Sequence, residues 1–141
     1  MYAAITRDKA VLILEWFEDR FGRSKYCRTF PKIRVYRSRG TADYPYRKDG
    51  TRGSYSWDRK TIAVFLGTIQ SVKVLCESIA HEYKHYLMDS KEYDRLEKAL
   101  KRENLDIYET HRRHPHERAC DRFEERWGPV CYGELKNRLY S

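Results

Sequence analysis

Three patterns in this chain predict an α+β fold. A helical apolar stripe runs through residues 70 to 88, side chains alternate from Lys32 to Arg37, and two short β-rich runs flank Asp58-Arg59-Lys60. Together they predict an N-terminal helix, a small three-stranded, mostly antiparallel sheet, a long central helix and a later helix. A length of 141 residues suits one domain over residues 1–141.

From about Ala4 to Arg20, Val11, Leu14, Trp16, Phe17 and Phe21 recur at helical spacing, and Gly22 reads as a stop. Lys32 to Arg37 is a half-buried strand with Ile33 and Val35 on one face. Residues 38 to 53, with Gly40, Pro45, Gly50 and Gly53, read as a loop. Ser54–Trp57 and Thr61–Leu66 then form a strand pair, and the second is apolar on both faces, so both sides should be covered.

Gln70 to Met88 is a helix whose stripe is Val72, Leu75, Cys76, Ile79, Tyr83 and Tyr86. A charged helix follows from about Lys91 to Arg102, with Tyr93, Leu96 and Leu100 inward. A last helix starts near Pro115, which suits a first helical position, and runs through Trp127 until Gly128-Pro129 ends it.

No segment reads as a signal peptide or a membrane span, so the expected location is a cytoplasm, of a cell or of a virus-infected host, with no membrane partner. Cys27, Cys76, Cys120 and Cys131 are widely spaced and form no C-x-x-C pair, which argues against a zinc ribbon and for free thiols. Cys76 and Cys120 fall on apolar helix faces, where buried, inert thiols are expected. The formal charge of +8 is concentrated in one place: residues 23–60 hold twelve Lys or Arg against three acids.

The chemistry is concentrated in His81-Glu82-Tyr83-Lys84-His85. Residues four apart share a helix face, so His81 and His85 can hold one zinc ion, with Glu82 placed to take a proton from a water on the metal. At 100° per residue both histidines lie opposite the apolar stripe, facing a cleft. The remaining histidines all lie in His111-Arg112-Arg113-His114-Pro115-His116, which leads into Glu117.

A catalytic zinc takes a third protein ligand plus water. The metzincin solution needs Gly at 88 and His at 91, where this chain has Met88 and Lys91. Glu117 is the preferred third ligand, because it sits in the first turn of the Pro115 helix at the edge of the Cys120/Phe123/Trp127 face. His114, His116 and Asp121 are its competitors.

Ile79 to His85, preceded by strands and followed by His114 to Phe123, resembles the minimal gluzincin metallopeptidases, with the ImmA/IrrE-like and SprT-like families nearest. The resemblance covers about residues 60 to 127. It implies a zincin-like fold, His81, His85 and Glu117 as zinc ligands, and Glu82 as general base. The chain lacks the four-cysteine ribbon that often follows SprT-like domains and the helix-turn-helix often found beside ImmA-like ones.

The expected activity is hydrolysis of peptide bonds in a protein or peptide substrate, with Tyr108, His111, His114 or His116 stabilising the oxyanion. A substrate strand is expected beside Thr61–Leu66 if that strand lies at the cleft edge. Tyr36, Tyr44, Tyr46, Tyr55 and Trp57, set among the bases of residues 23–60, fit contact with nucleic acid as well as a solvated strand face with aromatics of high β propensity; with nucleic acid bound, the SprT-like resemblance implies action on nucleic-acid-associated proteins. The alternative is a basic nucleic-acid-binding module with a structural or vestigial zinc site.

Overall fold

The computed structural model describes residues 4–38, 51–105 and 107–140, without the side chains of residues 107 and 108. Most of the loop expected at 38–53 lies outside the described residues, and so do Arg39, Tyr44, Tyr46 and the side chain of Tyr108.

Helix α1 spans Arg7–Phe21. The Thr6 side chain accepts a hydrogen bond from the amide of Lys9, capping the start, and Gly22 ends the helix at φ 73°, where a side chain would be strained. Its inward residues are Ala10, Ile13, Leu14 and Phe17.

The sheet has three strands: β1 (Lys32–Tyr36), β2 (Gly53–Ser56) and β3 (Thr61–Phe65), in the order β1-β3-β2. The β1–β3 pair is parallel and the β2–β3 pair antiparallel, so the sheet is mixed rather than mostly antiparallel. The tight turn at 57–60 imposes an antiparallel β2–β3 pair, whereas the long connection after β1 lets the chain return to the same end of the sheet.

The expectation that β3 is covered on both sides is met on one side only. Ile62 and Val64 are buried beneath α1 and the next helix, whereas Thr61, Ala63 and Phe65 on the other face are half-buried.

Helix α2 (Val72–Leu87) is capped by Ser71, and all six residues of its expected stripe are buried. Two of these also tie down the α1–β1 connection: the Tyr83 hydroxyl donates to Gly22 O at 2.6 Å and the Tyr86 hydroxyl to Thr29 O at 2.8 Å. Helix α3 (Ser90–Lys101) packs loosely, with Tyr93, Leu96 and Leu100 half-buried. A short helix, α4 (Ile107–Arg113), was not foreseen.

The largest correction concerns α5, which spans Pro115–Leu139 and passes through Gly128-Pro129 instead of ending there. An internal proline costs about 3 kcal/mol or more through a lost hydrogen bond and ring crowding. Pro129 is exposed, so the freed carbonyl can be solvated, while the residues beyond it, Cys131, Leu135 and Leu139, are buried in the core. Burying those three side chains outweighs the local cost.

Gly128 permits the closest approach of α5 to α2. A Cβ built there would lie 2.8 Å from Glu77 Cγ and 3.2 Å from Glu77 Cα. The latter is backbone and cannot swing away. Gly128→Ala is expected to lower stability by about 1–3 kcal/mol through overpacking, seen as a fall in thermal midpoint, even though alanine is the better helix former. An unchanged or raised midpoint would mean that the helices are not held this close.

Candidate metal centre

Two antiparallel helices build the site. The outward face of α2 presents Ser78, His81, Glu82 and His85 to an open cleft of about 500 Å³, and the first turns of α5 bring Glu117 and Asp121 against it. Residues 51–57, including β2, form the opposite wall, with Tyr93 of α3 and His111 of α4 closing one end.

Glu117 is the convergence point. Its Oε1 lies 3.1 Å from His81 Nε2 and 2.9 Å from His85 Nε2. Its other oxygen accepts from the Tyr93 hydroxyl at 2.8 Å and lies 3.4 Å from His111 Nδ1. Burial alone would raise the Glu117 pKa, but the hydrogen bonds from His81 and His85 hold it well below the usual carboxylate range.

His81 carries acceptors on both ring nitrogens, since its Nδ1 lies 2.9 Å from Glu124 Oε1 and 3.3 Å from Asp121 Oδ1. A neutral imidazole has one N–H and cannot donate to carboxylates at both ends. Without metal, His81 must therefore hold a second proton. Burial opposes that charge, yet Glu82, Asp121, Glu117 and Glu124 together raise its pKa well above the ordinary value.

The alternative to that proton is a cation on Nε2. Tetrahedral zinc with Zn–N bonds of about 2.0–2.1 Å sets its ligand atoms about 3.3 Å apart, close to the separations seen here. With zinc held by His81 Nε2, His85 Nε2 and Glu117, the Nδ1–H of His81 is free to donate to Glu124 or Asp121, which would fix the ring's orientation. The donor set fits zinc.

Among the described residues, two groups have the composition and proximity to hold a metal: His81, His85, Glu117 and Cys120, and His81, Asp121 and Glu124. Cys120 was expected to be inert, but it stands in the first group. Its thiol is fully buried, and that burial drives its pKa far upward and keeps it protonated, which disfavours ligation. The signal was present in the i, i+3 spacing of Glu117 and Cys120 on one helix face.

Glu82 is 7% exposed and beside both histidines. Burial raises its pKa, the histidines oppose the rise, and the Glu117 and Glu124 charges add to it. Its space depends on Gly53, where a Cβ would come within 3.3 Å of Glu82 Cγ and 3.0 Å of Ala63 O.

The other competitors for the third ligand position have different roles. His114 caps α5: its Nδ1 accepts from the amide of His116, and its Nε2 donates to Tyr93 O at 2.9 Å. Its ring stacks on Tyr93 at 3.9 Å. His116 lies 3.9 Å from Glu92 and does not line the cleft. Of the expected oxyanion partners, His111 lines the cleft, whereas His114 and His116 do not. Tyr93, read from sequence as an inward helix residue, joins His111 there. Trp57 packs edge-on to His85 at 5.6 Å and against Tyr93 at 5.1 Å, completing an aromatic wall.

Comparison with protein-family models, curated proteins and solved structures finds no match. The functional reading therefore rests on this geometry and on the motif.

Two measurements check the centre. Cys120→Ser is expected to keep stoichiometric zinc by elemental analysis, while His85→Ala and Glu117→Ala lose it; zinc lost on Cys120→Ser would make the thiol a ligand. The second is pH dependence. In metal-free protein, the raised His81 pKa stabilises fully below about pH 6.5 and is lost as pH rises through its higher folded value. The depressed Glu117 pKa stabilises above about pH 4.5 and is lost as pH falls through its folded value. Thermal stability of the metal-free protein should therefore peak between about pH 4.5 and 6.5 and decline above it. Added zinc should raise the midpoint more at pH 7.5 than at pH 5.5, roughly the two sides of the ordinary histidine pKa. A flat metal-free profile would contradict the coupled cluster.

Proposed function

We propose that this chain is a zinc-dependent metallopeptidase that hydrolyses peptide bonds. The observation that carries the reading is a buried carboxylate, Glu82, set beside two imidazoles whose Nε2 atoms converge on Glu117 at the floor of an open cleft. A purely structural site has no use for Glu82.

When bound, zinc would acidify a water and polarise a carbonyl. Glu82 takes the proton of the attacking water and delivers it to the departing amine, and burial raises its pKa in the direction that favours taking up a proton. The Tyr93 hydroxyl and the His111 ring line the same cleft, and we take them as the candidate donors to an oxyanion.

The substrate strand expected beside β3 required that β3 lie at the cleft edge, and it does not. β3 is the central strand, paired on both sides, and has no free edge. β2 is the edge strand on the cleft side, so an extended peptide adds there instead. The nearby basic surface supports substrates associated with nucleic acid.

Glu82→Gln tests the proposal. It should keep zinc and fold while lowering cleavage of an unfolded protein substrate such as casein by about 10²–10⁴-fold, the range for removing a general base. Zinc-loaded wild type without peptidase activity would instead favour a structural or vestigial zinc site in a nucleic-acid-binding module.

A further inference from the structure

Away from the cleft, positive charge accumulates without acids. Residues 23–37 contain six Lys or Arg and no Asp or Glu. The Lys and Arg ion pairs among the described residues involve Arg20, Arg95, Lys101, Arg112 and Arg113, none of them in this segment. The same segment holds Tyr26, Phe30 and Tyr36, exposed by 61%, 41% and 38%.

The strand pleat separates these residues from the metal centre. Along β1, Ile33 and Val35 turn toward the helices, while Lys32, Arg34 and Tyr36 are exposed on the outer face. The parallel register places Arg34 beside Ala63 and Tyr36 beside Phe65, and the antiparallel register adds Ser54 and Ser56 to that face. The rings of Tyr36 and Phe65 stack at 5.3 Å with an interplanar angle of 16°. The Tyr55 and Trp57 rings, counted from sequence with the basic segment, turn instead to the core and the cleft wall.

We propose that this outer face binds single-stranded nucleic acid, with bases on the Tyr36–Phe65 pair and phosphates against Lys32 and Arg34. Lys32 and Arg34 on this face, in a segment that carries six cations and no acid, complement a polyanion. The exposed Tyr36 ring, stacked on the half-buried Phe65, offers a flat face to unpaired bases, which a duplex hides. An acidic polypeptide would satisfy the charges but offers nothing flat for the aromatic pair. The surface shares no side chain with the metal centre, so it stands or fails independently of the peptidase reading.

Fluorescence anisotropy on zinc-loaded Glu82→Gln protein provides the test, with labelled oligothymidylate, oligouridylate and duplex DNA, and with polyglutamate as competitor. Either single strand should bind more tightly than duplex, with a salt slope of about −0.7 for each phosphate engaged. Tyr36→Ala should weaken binding about tenfold, with Tyr36→Phe retaining it. Arg34→Gln should flatten the slope by about 0.7. Tyr36 and Arg34 are exposed, so thermal midpoints should stay unchanged. A preference for thymidylate or uridylate would assign DNA or RNA. No binding at low salt, tighter binding of duplex, an unaffected Tyr36→Ala, or ready displacement by polyglutamate would each overturn the proposal.

Discussion

The contact between α2 and α5 governs the rest of the structure. The helices run antiparallel: Glu117 meets His85 and His81 near one end, Gly128 abuts Glu77 further along, and the thiols of Cys131 and Cys76 meet beyond that. Removing the side chain at 128 lets the axes approach, and that approach brings a carboxylate on one helix within hydrogen-bond reach of imidazoles on the other. A helix ending at Trp127 would lose the buried anchor of Cys131, Leu135 and Leu139. Glu117 would then rest on the first turns alone. The proline inside α5 is tolerated because the segment beyond it is buried, and that segment also anchors the end that carries Glu117.

The electrostatics of this contact are costly. Glu82, His85 and Glu117 are all buried, and His81 nearly so, which removes charge from water without the full compensation that solvent would give. Packing apolar residues there would be the simpler way to stabilise the helix pair. Instead, acceptors face both nitrogens of His81, and only a second proton or a metal cation satisfies them. The surrounding carboxylates hold that proton well above the ordinary histidine range, and a divalent cation on Nε2 would have to displace it. The cluster therefore has the composition and spacing that could hold a metal ion.

How much of this was legible follows from the range of the interactions involved. The stripe of α2 and the outward position of its histidines are set by helical periodicity, and all six stripe residues are buried as expected. Glu117 was legible because it lies on the edge of a helical face, next to the second group of histidines. The parallel β1–β3 pairing was not, because strand order depends on a long connection and not on the strands' own pattern. Continuation of α5 past Pro129 was misread because the local cost of proline is visible in sequence while the compensating burial against α1 and α2 is not. Tyr93 was read as a packing residue. Only the tertiary position of α3 turns its hydroxyl onto Glu117.

The sheet shows how one basic, aromatic segment can serve two surfaces. Residue parity in β2 sends Tyr55 to the helix side and Ser54 and Ser56 to the other, while β1 sends Lys32, Arg34 and Tyr36 outward. A slip of one residue in either pairing would exchange these sets, placing arginine in the core and valine in solvent, so burial of Ile33, Val35, Ile62 and Val64 holds the register. The consequence is geometric. On the two proposals, a peptide would add at the edge β2 presents among the described residues, in the plane of the sheet, and a nucleic acid strand would lie on its outer face. Neither ligand occupies the other's space, so a protein bound along a single strand could be presented to the cleft while the strand itself stays held.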